Sequence, residues 1–218
     1  MTTTIPTASE MLSVALKEQT ATAHESAENS RFMALLGKGQ LDRSAVAELT
    51  LQYFYIYSAL EAAVRRASKH PGVALIADER LERVVAITED LEALTGGNWR
   101  DAEPLEATKR YAAELDSLGA DNGPEVVAHH YVRYLGDIAG GQVLARVFRK
   151  EYELTEDELH FYDFSAVGKI PPYRAQYKAS LDAMQLTGDE RVRLIETAKH
   201  VFDLNQAVFR DLSESRGF

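Results

Sequence analysis

Cysteine is absent from all 218 residues, which excludes disulfide bonds, thiol catalysis and thiolate metal sites. No stretch approaches the ~18–20 apolar residues that a membrane helix needs. The N-terminal MTTTIPTASE lacks the basic and apolar regions of a secretory signal. Basic side chains are the minority, and a net charge of −10 argues against nucleic-acid binding, which needs a basic face. We therefore expect a cytoplasmic protein with no membrane anchor and no nucleic-acid partner.

Alternating strand patterns are also missing, whereas apolar residues recur at helical spacing along most of the chain. The sequence predicts a single all-α domain over 1–218, with about eight helices and a flexible segment at 1–8. Thr7 and Glu10 are expected to form the capping box of the first helix. A short helix is expected in FMALL, and a helical piece in TEDELHFY. The other predicted helices are 42–69, 78–94, 104–118, 124–152, 171–184 and 187–212.

The segment YLGDIAGGQ, residues 134–142, places three glycines and an acid inside the helix predicted at 124–152. Each interior glycine costs about 1 kcal/mol relative to alanine, so the weakness needs a reason. Gly136 and Gly140 are four residues apart and share one face, on which a flat ligand could approach the backbone. Asp137 stands beside that face and could hold a water molecule. Close packing of two helices also explains the glycines, and from spacing alone it is the favoured interpretation.

His24 is the second candidate, because Glu28 follows it by one helical turn. A carboxylate on Nδ1–H would orient the ring and leave Nε2 free to ligate a metal. Lys17 lies seven residues earlier on nearly the same face, about 10 Å along the axis. A ligand with a central metal and an acidic edge could meet both side chains. An exposed histidine among polar neighbours is the simpler alternative.

The remaining polar and aromatic residues are less specific. His129 and His130 are adjacent and point about 100° apart on a helix, so they do not form a metal pair. Arg174 and Lys178 form a cationic pair that is either a solvated face or a clamp for carboxylates. Aromatic residues at helical spacing are expected mostly in the core, where their hydroxyls and Asn205 need partners such as ordered water. These aromatic residues are Tyr53, Phe54, Tyr57, Tyr131, Tyr134, Phe202 and Phe209.

Taken together, these segments resemble the heme oxygenase family. VAHHYVRYLGDIAGGQVLARV, residues 127–147, is similar to the family's distal-helix signature, and LKEQTATAHESAENSRFM is similar to its proximal helix. YIYSALE and FDLNQAVF match further segments in the expected order. The resemblance implies an all-α bundle that holds haem between a proximal helix and a kinked distal helix. It also implies cleavage of haem, with O₂ and electrons, to biliverdin (the IX-alpha isomer by expectation), carbon monoxide and ferrous iron.

The same resemblance assigns roles to individual residues. His24 would be the axial iron ligand, with Glu28 as its hydrogen-bonding partner. Asp137 would organise distal water for hydroperoxide formation. Gly136 and Gly140 would lie against the distal haem face, and Tyr57, Arg133 and Asn205 would join the water network. The haem propionates would be held by Lys17, Tyr131, Arg174 and Lys178.

The resemblance also implies an electron donor, a reductase or ferredoxin whose identity the sequence does not give, and we expect a monomer. The chain departs from many relatives at Ala139 and Val132, where a hydroxyl is lost from the distal helix. The sequence leaves two alternatives open. One is a helical haem carrier or sensor without turnover, which needs no distal carboxylate. The other is an enzyme of similar architecture with another substrate, such as a thiaminase-like protein, which needs no His24–Glu28 pair.

Overall fold

The computed structural model describes residues 10–218, and these residues form helices and connecting turns without a strand. The prediction of an all-α fold is therefore confirmed. The helices of this part of the chain are α1 (Leu12–Glu28), α2 (Arg31–Gly37), α3 (Arg43–Arg66), α4 (Pro71–Ala74), α5 (Val84–Thr95), α6 (Glu106–Ser117), α7 (Gly123–His130), α8 (Gly136–Glu151), α9 (Ile170–Asp182) and α10 (Gly188–Ser215). There are more than the predicted eight because α4 is an extra single turn and because a π-helical turn separates α7 from α8 within the predicted 124–152 helix.

Two long helices organise the bundle. α10 packs against α1 and α7, whereas α3 packs against α5 and α6. Both begin at caps that the sequence shows locally. Asp42 accepts a hydrogen bond from the amide of Ala45 at 3.1 Å, and Thr187 and Glu190 form a capping box at the start of α10. The side chains buried between the helices, Tyr57 and Phe148 among them, belong to one hydrophobic cluster.

The helix predicted at 78–94 is wrong in its first part. Glu79–Leu81 is a 3₁₀ turn, and α5 begins only at Val84. The buried carboxylate of Glu61, on α3, accepts hydrogen bonds from the amides of Arg83 (2.6 Å) and Val84 (3.0 Å). A distant side chain thus caps α5, and no local pattern reveals such a cap.

The region around TEDELHFY is also more irregular than predicted. It contains the 3₁₀ turns Glu156–Glu158 and His160–Tyr162, followed by Ser165–Val167. Asp90, on α5, accepts hydrogen bonds from the amides of His160 (2.6 Å) and Phe161 (2.8 Å). Because these amides bind a distant carboxylate, they do not enter a continuous α-helical ladder.

The predicted 124–152 helix is continuous but contains one π-helical turn, Tyr131–Leu135, between α7 and α8. We call α7, this π turn and α8 together the distal helix, and α1 the proximal helix. The irregularity therefore lies just before the glycines rather than at them. Such π turns widen the helix locally and occur often at functional sites.

Only part of the N-terminal prediction falls within the described residues. Thr7 and the segment 1–8 lie outside the described residues, and the proximal helix begins at Leu12. Within residues 10–218, no helix has both the length and the apolar character needed to cross a bilayer.

Close packing at the start of the distal helix gives a stability prediction. A Cβ added to Gly123 would lie 2.2 Å from ring atoms of His70. The His70 Nδ1 accepts a hydrogen bond from the amide of Gly72 at 3.2 Å, which restrains the ring. We therefore expect Gly123→Ala to lower the free energy of unfolding by about 1–3 kcal/mol in a chemical denaturation.

Gly119→Ala is the matched control for this prediction. A Cβ on Gly119 meets no described atom within 4 Å, so its effect should stay within about 0.5 kcal/mol. Equal unfolding free energies for the two variants would show that His70 yields without cost and that the packing does not constrain the distal helix.

Candidate functional site

The proximal helix presents His24 with its neighbour from the next turn. His24 Nδ1 lies 3.5 Å from Glu28 Oε2, and about half of the His24 side chain is exposed (52%). The edge of the imidazole packs against the Phe202 ring of α10, with ring centroids 5.6 Å apart. A carboxylate at Nδ1 leaves Nε2 as the nitrogen available to a metal. Lys17 is exposed on the same helix.

α10 connects this proximal group to the distal helix. Asn205 lies one turn after Phe202, and its Oδ1 accepts a hydrogen bond from Arg133 Nη1 at 3.0 Å. Arg133 belongs to the π turn. Neighbouring residues on one face of α10 thus contact His24 and anchor the distal helix, so the two predicted halves of the site border a common helix.

The three glycines of the distal helix differ in what surrounds them. A Cβ on Gly136 or Gly140 meets no atom of residues 10–218 within 4 Å, whereas a Cβ on Gly141 would lie 3.1 Å from Tyr162 Cδ1. None of the three has a positive φ. Gly141 therefore serves close packing, whereas Gly136 and Gly140 leave the backbone face uncovered. Both interpretations of the sequence hold, each for different glycines.

Asp137 lies directly beside the uncovered backbone. The hydroxyl of Tyr57, a fully buried residue of α3, donates a hydrogen bond to its Oδ2 atom. Burial raises the pKa of the Asp137 carboxyl well above its ordinary value. A carboxyl whose pKa is raised by burial holds its proton more readily than an exposed one, which suits it to hydrogen-bond and protonate a small ligand.

Arg133 is buried beneath the same region with unused hydrogen-bonding capacity. Its guanidinium lies over the Tyr53 ring (4.5 Å to the centroid) and the Tyr57 ring (5.0 Å). Nη1 binds Asn205, but Nε and Nη2 are buried and have no partner in the described part of the chain. Buried donors of this kind are commonly satisfied by ordered water. Tyr57 thus contacts both Asp137 and Arg133, and Arg133 binds Asn205, so the structure places these four residues in one connected group.

The predicted propionate-binding residues occupy the π turn and α9. Tyr131 is half-buried on the π turn, and burial raises the pKa of its phenol. Arg174 and Lys178 are half-buried on α9, and the buried Nε of Arg174 has no hydrogen-bond partner within residues 10–218. α9 packs along the proximal helix, where Asp182 accepts a hydrogen bond from the amide of Ser13 at 2.8 Å. The cations of α9 thus border the helix that carries Lys17.

The sequence analysis did not identify the residues that pack against the Tyr57 ring. The Phe161 ring lies 5.4 Å from the Tyr57 ring and 5.3 Å from the Tyr53 ring. Asp90 accepts hydrogen bonds from the turn that carries Phe161. In the sequence, Asp90 is noticeable only because it is a charged residue at a position where the helical pattern predicts an apolar one. His129 and His130 diverge as predicted: His129 packs on Tyr111, and His130 binds the Tyr177 hydroxyl at 2.7 Å.

The side chains available as metal ligands fit a metal ion whose coordination is mostly supplied by another molecule. Among the described residues, no group of three histidine, cysteine, aspartate or glutamate side chains could hold a metal ion. A single histidine would suffice for an iron whose other ligands are mostly supplied by a porphyrin. The uncovered backbone of Gly136 and Gly140 supplies a flat surface, and the fold and site together define an all-α protein suited to a planar, metal-bearing ligand.

Comparison with known proteins agrees with this class. The family model described as heme oxygenase matches residues 10–211. Heme oxygenase 1 of Gallus gallus is 37% identical over 210 residues, which are 94% of this chain and 71% of that protein. The human heme oxygenase 1 is 35% identical over 207 residues, with 93% and 72% covered.

Solved structures show the same relationship. The crystal structure of heme oxygenase-1 from the cyanobacterium Synechocystis in complex with heme aligns with a TM-score of 0.89 at 26% identity, over 94% of each chain. Heme oxygenase from Leptospira interrogans aligns with a TM-score of 0.86 at 31% identity, over 92% of this chain and 98% of that one. The chain belongs to the heme oxygenase family, as the sequence resemblance predicted.

The glycine environments predict opposite effects for neighbouring substitutions. Gly140→Ala should leave the fold intact and stabilise α8 by up to about 1 kcal/mol, because the methyl group meets no described atom. That methyl group occupies the uncovered face, so haem binding measured by optical titration should weaken. Gly141→Ala should instead destabilise the fold by about 1–3 kcal/mol through Tyr162. Unchanged haem affinity in Gly140→Ala would show that haem does not contact this face.

Proposed function

We propose that this protein binds haem between the proximal and distal helices and cleaves it, with O₂ and electrons, to biliverdin, carbon monoxide and ferrous iron. It is thus an oxidoreductase for which haem is both substrate and cofactor. The observation that carries the proposal is the pairing of an uncovered glycine face with the Tyr57–Asp137 hydrogen bond beside it. A flat ligand placed there meets a proton-active carboxyl at its face.

Each predicted residue then has a task in the reaction. His24 Nε2 would ligate the iron, and Glu28 would orient the ring through Nδ1. Asp137 holds a water molecule through which a proton reaches the distal side. Tyr57 fixes the carboxyl, and the free donors of Arg133, anchored by Asn205, hold further water. Bound haem supplies the oxygen-activating iron and the porphyrin ring that is oxidised.

The polar groups on the distal side favour turnover over simple carriage. A carrier gains nothing from burying an arginine with two unused donors beside a carboxyl of raised pKa, since both cost stability. Groups of this kind that are retained in a ligand site are typical of proton-transfer chemistry.

An optical experiment tests the proposal directly. The protein is mixed with hemin, a reductant and air, and the Soret band is followed with time. We expect the band to form and then to give way to the absorbance of biliverdin. A band that forms and persists would identify a haem carrier or sensor. A band that never forms would point to a different substrate, as in thiaminase-like proteins.

The cations around the haem edge should set which meso carbon reacts. Lys17, Tyr131, Arg174 and Lys178 hold the propionates in our proposal, and they thereby fix the rotation of haem in its plane. We expect the α isomer of biliverdin from the unaltered protein. The double variant Arg174→Gln/Lys178→Gln should give mixed isomers in product chromatography, whereas Lys199→Gln, which removes a cation of α10 paired with Glu196, should not. A single unchanged isomer from the double variant would remove α9 from this role.

The remaining proposals concern the setting of the reaction. We propose that the protein works in the cytoplasm as a monomeric, single-domain enzyme and receives electrons from a separate reductase or ferredoxin. The need for an external donor follows from the chemistry, because the haem cleavage that we propose consumes electrons.

A further inference from the structure

A chain of aromatic rings leads away from the distal carboxyl into the protein. The Tyr57 and Tyr134 rings have centroids 5.5 Å apart, and Tyr134 lies 4.5 Å from the imidazole of His130. That imidazole is stacked on Tyr177, with centroids 5.7 Å apart and planes 13° from parallel. We propose that these four residues form a relay that carries oxidising equivalents from the haem site to the protein surface.

At both ends of the relay the tyrosine hydroxyl has a hydrogen-bond acceptor, and an oxidised tyrosine needs one because its phenolic proton becomes strongly acidic. The Tyr57 hydroxyl donates to Asp137, and the Tyr177 hydroxyl lies 2.7 Å from His130 Nδ1. His130 is buried, and burial lowers its pKa to about 3, so the ring is neutral at pH 7 and its Nδ1 can accept the phenolic proton.

The charges along the relay favour movement away from haem. The Arg133 guanidinium lies over both Tyr57 and Tyr53, and a nearby cation disfavours an electron-deficient ring. Tyr134 lies in the field of the carboxyl groups of Glu61 and Glu82, which outweighs that of the Arg83 guanidinium. Phe161, the other aromatic neighbour of Tyr57, is much harder to oxidise than a phenol. Tyr134 is therefore the favoured next site.

Tyr177, at the far end of the relay, is itself buried (4% exposed) but forms part of the wall of a surface groove. The groove has a volume of about 500 Å³ and is also lined by Tyr173, Gln176 and Ser180. A small water-soluble reductant, such as a thiol, can approach the ring there. α9 thus carries Arg174 and Lys178, which we propose bind the haem propionates, and it also carries the tyrosines, Gln176 and Ser180 that line this groove.

The electron and proton balance of the proposed activity is that of a peroxide reduction. When hydrogen peroxide reacts at the haem site without cleaving the ring, its conversion to two waters needs two electrons and two protons. Each passage moves one electron from Tyr177 through Tyr134 and Tyr57 to the oxidant, and the phenolic proton of Tyr177 moves to His130. A thiol then returns one electron to Tyr177, His130 gives the phenolic proton back to Tyr177, and the proton lost by the thiol enters solvent. The haem site takes up one proton from solvent in each passage, so two thiols and one peroxide yield one disulfide and two waters. The relay would protect the site from oxidants that its own chemistry can produce.

This inference rests on the proposed haem binding, and the experiment separates the two. Formation of the Soret band is measured first in every variant, because a protein without that band has lost haem rather than the relay. The haem-loaded protein is then treated with hydrogen peroxide and a radical trap, and modified tyrosines are located by tryptic mass spectrometry. Trypsin separates the candidate tyrosines, since Tyr134, Tyr173 and Tyr177 fall in different peptides, 134–146, 170–174 and 175–178.

We expect trap on the 175–178 peptide of the unaltered protein. Tyr134→Phe, which keeps the ring but removes the oxidisable phenol, should reduce that labelling severalfold. Tyr111→Phe is the matched control, because Tyr111 is equally buried but packs on His129 outside the relay, and it should change nothing. Tyr177→Phe should shift labelling to the 134–146 peptide. No label on Tyr177 in the unaltered protein, or equal labelling in Tyr134→Phe and the control, would overturn the relay.

Discussion

Replacing Asp137 with alanine is expected to abolish most haem cleavage while leaving haem binding intact. The carboxyl lies beside the uncovered face of Gly136 and Gly140, is fixed by the Tyr57 hydroxyl, and has a pKa that burial raises well above the ordinary range. In our proposal it holds the water that delivers a proton to the distal side. Loss of a positioned acid–base group typically costs about 10²-fold or more in rate. The initial rate of biliverdin formation should fall by that order.

Two further variants separate the proton role from simple packing. Asp137→Asn keeps the size and a hydrogen-bond acceptor but cannot act as an acid or a base, so it should be nearly as slow as Asp137→Ala. Tyr57→Phe keeps the carboxyl and loses only the hydrogen bond that orients it, so its loss should be smaller. Haem affinity, from Soret titration, should change little in all three. A biliverdin yield equal to that of the unaltered protein from Asp137→Ala would remove Asp137 from the reaction.

The second large effect is expected at His24. His24→Ala removes the one protein side chain that we propose as an iron ligand. Haem should therefore bind more weakly, and the absorption bands that depend on the iron ligand should change. Imidazole added in solution should restore the spectrum, since it supplies the missing nitrogen without the chain. Glu28→Gln, which alters only the partner of Nδ1, should weaken haem binding by about 10–100-fold, a smaller loss than that of His24→Ala.

His200→Ala is the control for the histidine. Its side chain is about as exposed as that of His24 (51% against 52%) and it also contacts a glutamate, Glu114, with 2.9 Å between Nε2 and Oε2. It lies on α10 away from the predicted ligand position, so its haem spectrum should be that of the unaltered protein. A normal spectrum for His24→Ala, or a change of equal size in His200→Ala, would contradict the assignment.

Local sequence patterns predicted most of the helices because the periodicity and the caps are local. Asp42 and the Thr187–Glu190 capping box start α3 and α10 where the sequence indicates a helix start. The start of α5 was wrong because its cap, Glu61, comes from α3. The turn at His160–Tyr162 was missed for the same reason, since Asp90 binds its amides from α5. Tertiary hydrogen bonds override local pattern at both places.

The sequence identified the residues of the candidate site but did not predict how they are arranged in space. Spacing singled out His24, Asp137 and the glycines, and resemblance supplied their roles, yet spacing alone could not decide between packing and an open face. The structure shows that the answer differs between Gly140 and Gly141, which are adjacent in the chain. The π turn before Gly136 was likewise invisible, because its residues have ordinary helical composition. Which glycine faces a neighbour depends on the 160–162 turn, and that turn depends on a distant carboxylate.

The amount of carbon monoxide released during haem loss tests the central claim most directly. Haem can also disappear by non-specific bleaching with peroxide, so loss of colour alone is not sufficient. With hemin, a reductant and air, we predict carbon monoxide and biliverdin each in amounts equal to the haem consumed. Added catalase, which removes free peroxide, should not lower either yield. Haem loss without matching carbon monoxide, or loss that catalase prevents, would contradict the account.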